Sequence, residues 1–210
     1  MEIICHRGYF ESSNEQNSLT SFEKAFNNGF GIETDIRDAN SEIVISHNIP
    51  SGNETPLEDL LKLYKEIGNN LPLALDIKSS ELQYPLRELL DKYQISNYFL
   101  FDMAIPDAIK FAKDDNNIIY ARQSEYEMAP NLYEESSGIW MDEFYSDWID
   151  INHIEEHKKN GKKVALVSPE LHGKEHLNRW AAWKKIEQKL DYELSICVNY
   201  PNEANLFFNK

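Results

Sequence analysis

The chain has 210 residues, of which 41% are hydrophobic and 27% charged, and a formal net charge of −15. That length suits one domain around one sizeable core, and the composition excludes a disordered chain. The acidic balance argues against nucleic acid as a partner, because a duplex binder needs a basic face to displace counterions.

Cys5 and Cys197 are the two cysteines, too few for a disulfide framework. The first residues carry no basic segment followed by a long apolar run, so no signal peptide is expected. No window approaches the ~18 apolar residues of a membrane span. A cytoplasmic protein with no transmembrane segment is the expectation.

The first predicted strand, 2–5, runs into Cys5-His6-Arg7-Gly8. A helix over 18–28 follows, with Leu19, Phe22, Ala25 and Phe26 at helical spacing. The second strand, 31–36, contains Glu33-Thr34-Asp35, and a short apolar run over 42–46 leads to His47-Asn48. A helix over 56–66 places Leu57, Leu60, Leu61 and Tyr64 on one face, with Thr55 as its N-cap and Pro56 in the first turn. The third strand, 71–77, contains Asp76 and is followed by Lys78. Helices over 82–92 and 105–113 flank a strand over 97–101. Strands over 117–121 and 138–141 lead to Arg122 and Asp142, and a helix over 151–160 stops at Asn160-Gly161. Strands over 163–167 and 194–198 enclose a helix over 175–189.

Strand and helix alternate throughout, which predicts a parallel sheet with right-handed crossovers. Eight such units predict closure into a small (β/α)8 barrel of the TIM type, one domain over 1–210. An open doubly wound sheet alternates identically and is the rival architecture.

In either architecture ligands sit at the carboxyl ends of the strands. Side chains two residues apart on a strand share a face, so Glu33 and Asp35 point one way, as do Asp76 and Lys78. Three carboxylates brought together repel one another unless a cation lies between them. Oxygen ligands without cysteine point to Mg2+ or Ca2+; the plainer alternative is ordinary surface carboxylates at strand ends. His6 and His47 both end short strands on that face and suit phosphodiester cleavage, one taking a proton from the attacking hydroxyl and the other protonating the leaving oxygen. Arg7 and Lys78 can neutralise the phosphate, although Arg7 could form a surface ion pair and Lys78 could simply pair with Asp76. Glu170 and His172, in a loop on the same face, are candidate substrate contacts along with Arg122. Trp140, Trp148, Trp180 and Trp183 read as packing, and His153, His157 and His176 as solvated helix residues.

The ordered set His6-Arg7-Gly8, Gln16-Asn17-Ser18-Leu19-Thr20-Ser21-Phe22, Glu33-Thr34-Asp35-Ile36, His47-Asn48 and Thr55-Pro56-Leu57 resembles the glycerophosphodiester phosphodiesterase family over about residues 1–80. The resemblance implies a TIM barrel and a divalent metal on Glu33, Asp35 and Asp76. It also implies His6 as base and His47 as acid, Arg7 and Lys78 on the phosphate, and a small or lipid-derived phosphodiester as substrate. In such enzymes a neighbouring glycerol hydroxyl attacks phosphorus and a cyclic phosphate forms first. The chain departs from the pattern at Gln16, Asn48 and Asp76, where the family usually has Glu, Asp and Glu, and it lacks the subdomain often inserted after the second histidine. A catalytically silent barrel binding a phosphorylated ligand, and a lipid phosphodiesterase of sphingomyelinase D type, are the alternative readings.

Overall fold

Nine strands and seven α-helices make up the computed structural model, which describes residues 1–68, 70–114 and 117–209. The strands are β1 Glu2–His6, β2 Gly31–Ala39, β3 Glu42–Ile45, β4 Leu73–Ile77, β5 Tyr98–Phe101, β6 Tyr120–Gln123, β7 Gly138–Met141, β8 Lys163–Val167 and β9 Ser195–Val198. The helices are α1 Leu19–Asn27, α2 Leu57–Leu63, α3 Gln83–Lys92, α4 Ile105–Ala112, α5 Ile151–Lys159, α6 Leu177–Leu190 and α7 Pro201–Asn209. Eight strands run parallel in the order β5-β4-β2-β1-β9-β8-β7-β6. A bridge between Leu100 and Ile119, with the Leu100 N–H donating to the Ile118 carbonyl at 2.8 Å, brings β5 against β6. The result is a nearly closed (β/α)8 barrel of the TIM type, not an open doubly wound sheet. Cys5 and Cys197 lie on the neighbouring strands β1 and β9, as barrel closure requires.

Period-two alternation divides the apolar side chains into two layers. Ile4, Ala74, Phe99, Phe101, Tyr120, Trp140, Ala165, Val167 and Cys197 fill the barrel interior. Cys5, Ile32, Leu75, Leu100, Ile139, Leu166 and Ile196 face the helices. The interior is unusually aromatic: Phe99 stacks on Tyr120 at 3.9 Å between ring centroids, and Phe101 on Trp140 at 4.2 Å. Gly138 is required beneath this stack, because a Cβ there would come within 2.5 Å of the Tyr120 ring.

The same alternation carries the chemistry. Two residues beyond interior Ile4 comes His6, beyond Ala74 comes Asp76, beyond Tyr120 comes Arg122, beyond Trp140 comes Asp142, and beyond Cys197 comes Asn199. The carboxyl end of the barrel is therefore lined by polar residues stacked directly above an apolar plug.

β2 is long enough to leave the barrel, and its upper half pairs with β3 in an antiparallel hairpin. The two turn residues, Asn40 and Ser41, have φ of 50° and 67°, the left-handed pair that matches strand twist in a two-residue hairpin. This hairpin carries His47 over the barrel mouth.

Three local expectations need correction. Pro56, not Thr55, occupies the N-cap of α2, and the Thr55 carbonyl instead accepts the Ile45 N–H at 2.9 Å. α7 was not expected from the sequence; it packs back on β1 through Ala204 and Phe208. His157 is buried rather than solvated, held between the Tyr133 hydroxyl at 2.9 Å and Gln123 Oε1 at 2.8 Å. Among the described residues no helix is long and apolar enough to cross a membrane.

Candidate active site

A cavity of about 310 Å3 opens at the carboxyl end of the barrel and is lined by His6, Arg7, Glu33, Asp35, His47, Asp76 and Lys78 on one side. All seven of these residues were identified from the sequence, and the fold brings them together. Phe101, Trp140, Phe144, Val167 and Leu171, with Asp102, Arg122, Asp142 and His172, form the other side.

The acidic side is built by register. Glu33 of β2 aligns with His6 of β1, and Asp35 of β2 aligns with Asp76 of β4. One oxygen from each of Glu33, Asp35 and Asp76 lies within 4.8 Å of the others. All three residues are buried. Burial, reinforced by Asp35 and Asp76, pushes the Glu33 carboxyl well above the usual range. Burial, with the Asp102 charge, raises Asp76 to about 7 against the pull of Lys78. Burial alone would raise Asp35 as well, but hydrogen bonds from His47 and Asn17 and the charges of Arg7 and Lys78 outweigh it and hold this group low. Asp76 Oδ1 is buried with no hydrogen-bond partner among the described residues. An orphaned carboxylate oxygen beside two crowded carboxylates fits a divalent cation: the donors are hard oxygens, and the cation would relieve both the repulsion and the missing partner.

Two cations frame this cluster. Lys78 Nζ lies 2.5 Å from Asp76 Oδ2 and 3.6 Å from Asp35 Oδ1. Its position is set by its own N–H, which donates to the Ile36 carbonyl at 3.0 Å and extends the β4–β2 ladder. Arg7 Nε lies 3.1 Å from Asp35 Oδ2, and the Arg7 N–H donates to Glu33 Oε2 at 3.1 Å. Arg7 and Gly8 turn with φ of 56° and 89°. Gly8 is obligatory there, since a Cβ would meet Ser21 Oγ at 2.3 Å.

Each histidine has one nitrogen engaged. His6 Nδ1 lies 2.9 Å from Asn199 Oδ1, an acceptor, so Nδ1 carries the proton and Nε2 keeps its lone pair, 3.9 Å from Glu33 Oε2. Burial lowers the His6 pKa to about 4, the Asn199 hydrogen bond opposing it. His47 Nδ1 is 2.9 Å from Asp35 Oδ1 and 2.8 Å from Arg7 Nη2. Both contacts cannot be hydrogen bonds at once, because guanidinium only donates. The buried carboxylate is the stronger partner, so Nδ1 carries the proton and donates to Asp35.

The substrate-contact candidates separate. Arg122 lines the cavity in a two-pronged ion pair with Asp102, its Nε donating to Oδ1 at 2.8 Å. His172 also lines it, with Nε2 2.6 Å from Asp142 Oδ1 and its ring 5.0 Å from Phe144. Glu170 is not among the lining residues: it turns inward, accepting from Ser168 Oγ and from the Asn199 N–H at 3.1 Å. Glu170 thus braces the residue that orients His6. Trp140, read as packing, is both an interior residue and part of the cavity wall. Asp102 carries a strand-end signal too, since it directly follows β5, but it is not among the residues expected from the sequence. Phe144 lies in a loop and left no signal in the sequence.

Solved structures share this fold, and three show the range. A candidate glycerophosphodiester phosphodiesterase from Galdieria sulphuraria is 22% identical, with a TM-score of 0.73 over 100% of this chain and 98% of that one. A glycerophosphodiester phosphodiesterase from Agrobacterium tumefaciens str. C58 is 12% identical, with a TM-score of 0.73 over 100% of both chains. A glycerophosphoryl diester phosphodiesterase from Parabacteroides distasonis ATCC 8503 is 15% identical, with a TM-score of 0.70 over 99% of this chain and 86% of that one. No protein-family model matches the sequence, and no curated protein matches it. The likeness at these identities is one of fold.

Proposed function

We propose that this chain is a metal-dependent phosphoric diester hydrolase acting on a glycerophosphodiester-like substrate, with residues 1–210 as a single barrel domain. The observation that carries this reading is one cavity in which two histidines and two cations surround three buried carboxylates. The solved structures of the same fold, described as glycerophosphodiester phosphodiesterases, support it.

Glu33, Asp35 and Asp76 are the residues that would hold a Mg2+ or Ca2+ ion. When bound, a divalent ion would stabilise charge on the phosphate and acidify a hydroxyl beside it. The proton work falls to the chain. His6, neutral and fixed by Asn199, accepts the proton of the attacking hydroxyl at Nε2. His47, oriented by the Asp35 carboxylate at Nδ1, gives a proton to the leaving oxygen. Arg7 and Lys78 balance the charge that builds on the non-bridging oxygens. The cyclic phosphate of such an attack opens by the reverse exchange, His47 taking a proton from water and His6 returning one.

The test is a panel of phosphodiesters incubated with Mg2+, Ca2+ or EDTA, reading phosphomonoester and cyclic phosphate. Metal-dependent release of either product supports the reading. No product from any diester, with phosphate still bound, would leave a catalytically silent barrel.

A further inference from the structure

The barrel has one weak seam. Every other pair of neighbouring barrel strands is joined by a ladder of at least three paired residues, whereas among the described residues β5 and β6 meet at the single bridge Leu100–Ile119. A second cavity of about 250 Å3 lies at this seam. Among the described residues it shares Asp102 and Arg122 with the active-site cavity and no other lining residue. The ion pair is thus a common wall between the two spaces. Asp102 holds φ +63°, a left-handed conformation that is unfavourable for a residue with a Cβ. That turn, directly after β5, sets the carboxylate opposite Arg122.

Beyond the pair the lining changes character. Met103, Ile105, Ala108, Ile119 and Leu132 supply apolar surface, and the methylene stem of Arg122 can add to it. Ala108 is the small residue that leaves room beside α4. Ile105 is 44% exposed, so it forms the rim of the cavity rather than its floor. Glu127 also lines the space and disfavours an anionic group there. The volume holds roughly eight water-sized groups, the scale of a short alkyl chain.

The geometry points to a second subsite: the seam cavity receives an aliphatic chain borne by one substituent of the phosphodiester, laid across the Asp102–Arg122 pair. This inference rests on the phosphodiesterase reading above and adds a substrate class to it. The phosphate stays with Arg7 and Lys78, and the uncharged end of the chain enters the seam.

Calorimetric titration of the full chain with ethyl phosphate and n-octyl phosphate tests the subsite. Octyl phosphate should bind at least roughly tenfold tighter, a modest figure for the gain per buried methylene. Ala108→Phe, which fills the cavity, and Ile105→Glu, which puts a charge at its rim, should bring the ratio to near one while leaving ethyl phosphate binding unchanged. Ile105 is partly exposed, so its variant decides the matter if Ala108→Phe does not fold. Equal affinities in the parent chain, or an undiminished ratio in the folded variants, would overturn the subsite. Absence of hydrolysis of every short diester, with the octyl preference intact and lost in the variants, would instead overturn the phosphodiesterase reading and leave the seam as a binding site.

Discussion

His47 Nδ1 stands 2.9 Å from Asp35 Oδ1, a contact that ties a loop residue above the barrel to the carboxylate at the centre of its mouth. Asp35 also accepts from Asn17 Nδ2 at 2.9 Å and faces Arg7 and Lys78. One carboxylate therefore orients His47, anchors the two cations and takes part in the three-carboxylate cluster.

This arrangement predicts that His6→Ala and His47→Ala each lose about 10²–10⁴-fold in kcat. The double variant should lose less than the product of the two, because both rings serve one proton-transfer sequence. The parent pH–rate profile should be bell-shaped, since one ring must start neutral and the other charged. Full activity in His47→Ala would remove the two-histidine mechanism.

Divalent cations should raise the melting temperature of the parent chain, and EDTA should reverse the shift, because a cation bound to the native state alone stabilises it by mass action. Asp76→Asn should abolish the shift. Glu33→Gln should abolish it too, yet stabilise the metal-free protein by about 1 kcal/mol or more, since it replaces a carboxyl whose ionisation burial and its two carboxylate neighbours oppose. Differential scanning calorimetry with and without EDTA reads both effects. A Glu33→Gln protein less stable without metal than its parent would contradict the crowding argument.

Lys78→Ala should reduce kcat by about 10²-fold, because the side chain acts through its charge beside Asp76 and Asp35. Turnover equal to that of the parent would show that Lys78 serves only as the ion-pair partner of Asp76.

Asn199 holds the His6 ring by Nδ1, and Glu170 braces the Asn199 backbone. Asn199→Leu, similar in size but unable to accept, should cut kcat about tenfold and leave KM close to that of the parent. Asn199→Asp should recover part of the loss, because its carboxylate accepts the same hydrogen bond. An Asn199→Leu variant changed in KM alone would point to substrate contact instead of ring positioning.

His157 supplies a stability prediction away from the site. Burial lowers its pKa from 6.5 to about 4. The unfolded chain therefore binds this proton more readily than the native one, so the His157 contribution is fully present above pH 6.5 and is lost as pH falls through 6.5 towards 4. Urea midpoints measured between pH 7 and pH 4 should decline, and His157→Gln should flatten the decline. Identical slopes in the two proteins would place the pH dependence elsewhere.

Local pattern was enough to read most of the fold and the histidine and carboxylate side of the cavity. Period-two alternation put Glu33 with Asp35 and Asp76 with Lys78, strand ends marked His6 and His47, and helical spacing located the helices from α1 to α6. These are short-range properties: a face or a turn is decided by residues a few positions apart, so the chain states them directly. Closure of the barrel was not of this kind, since open and closed parallel sheets alternate alike; it depends on β1 meeting β9, nearly two hundred residues later. The burial of His157, the inward turn of Glu170, the place of Trp140 in the cavity wall, and the seam behind Asp102 and Arg122 depend likewise on which distant elements pack together. Such contacts join residues whose separation in sequence carries no period, and only the folded barrel brings them within reach.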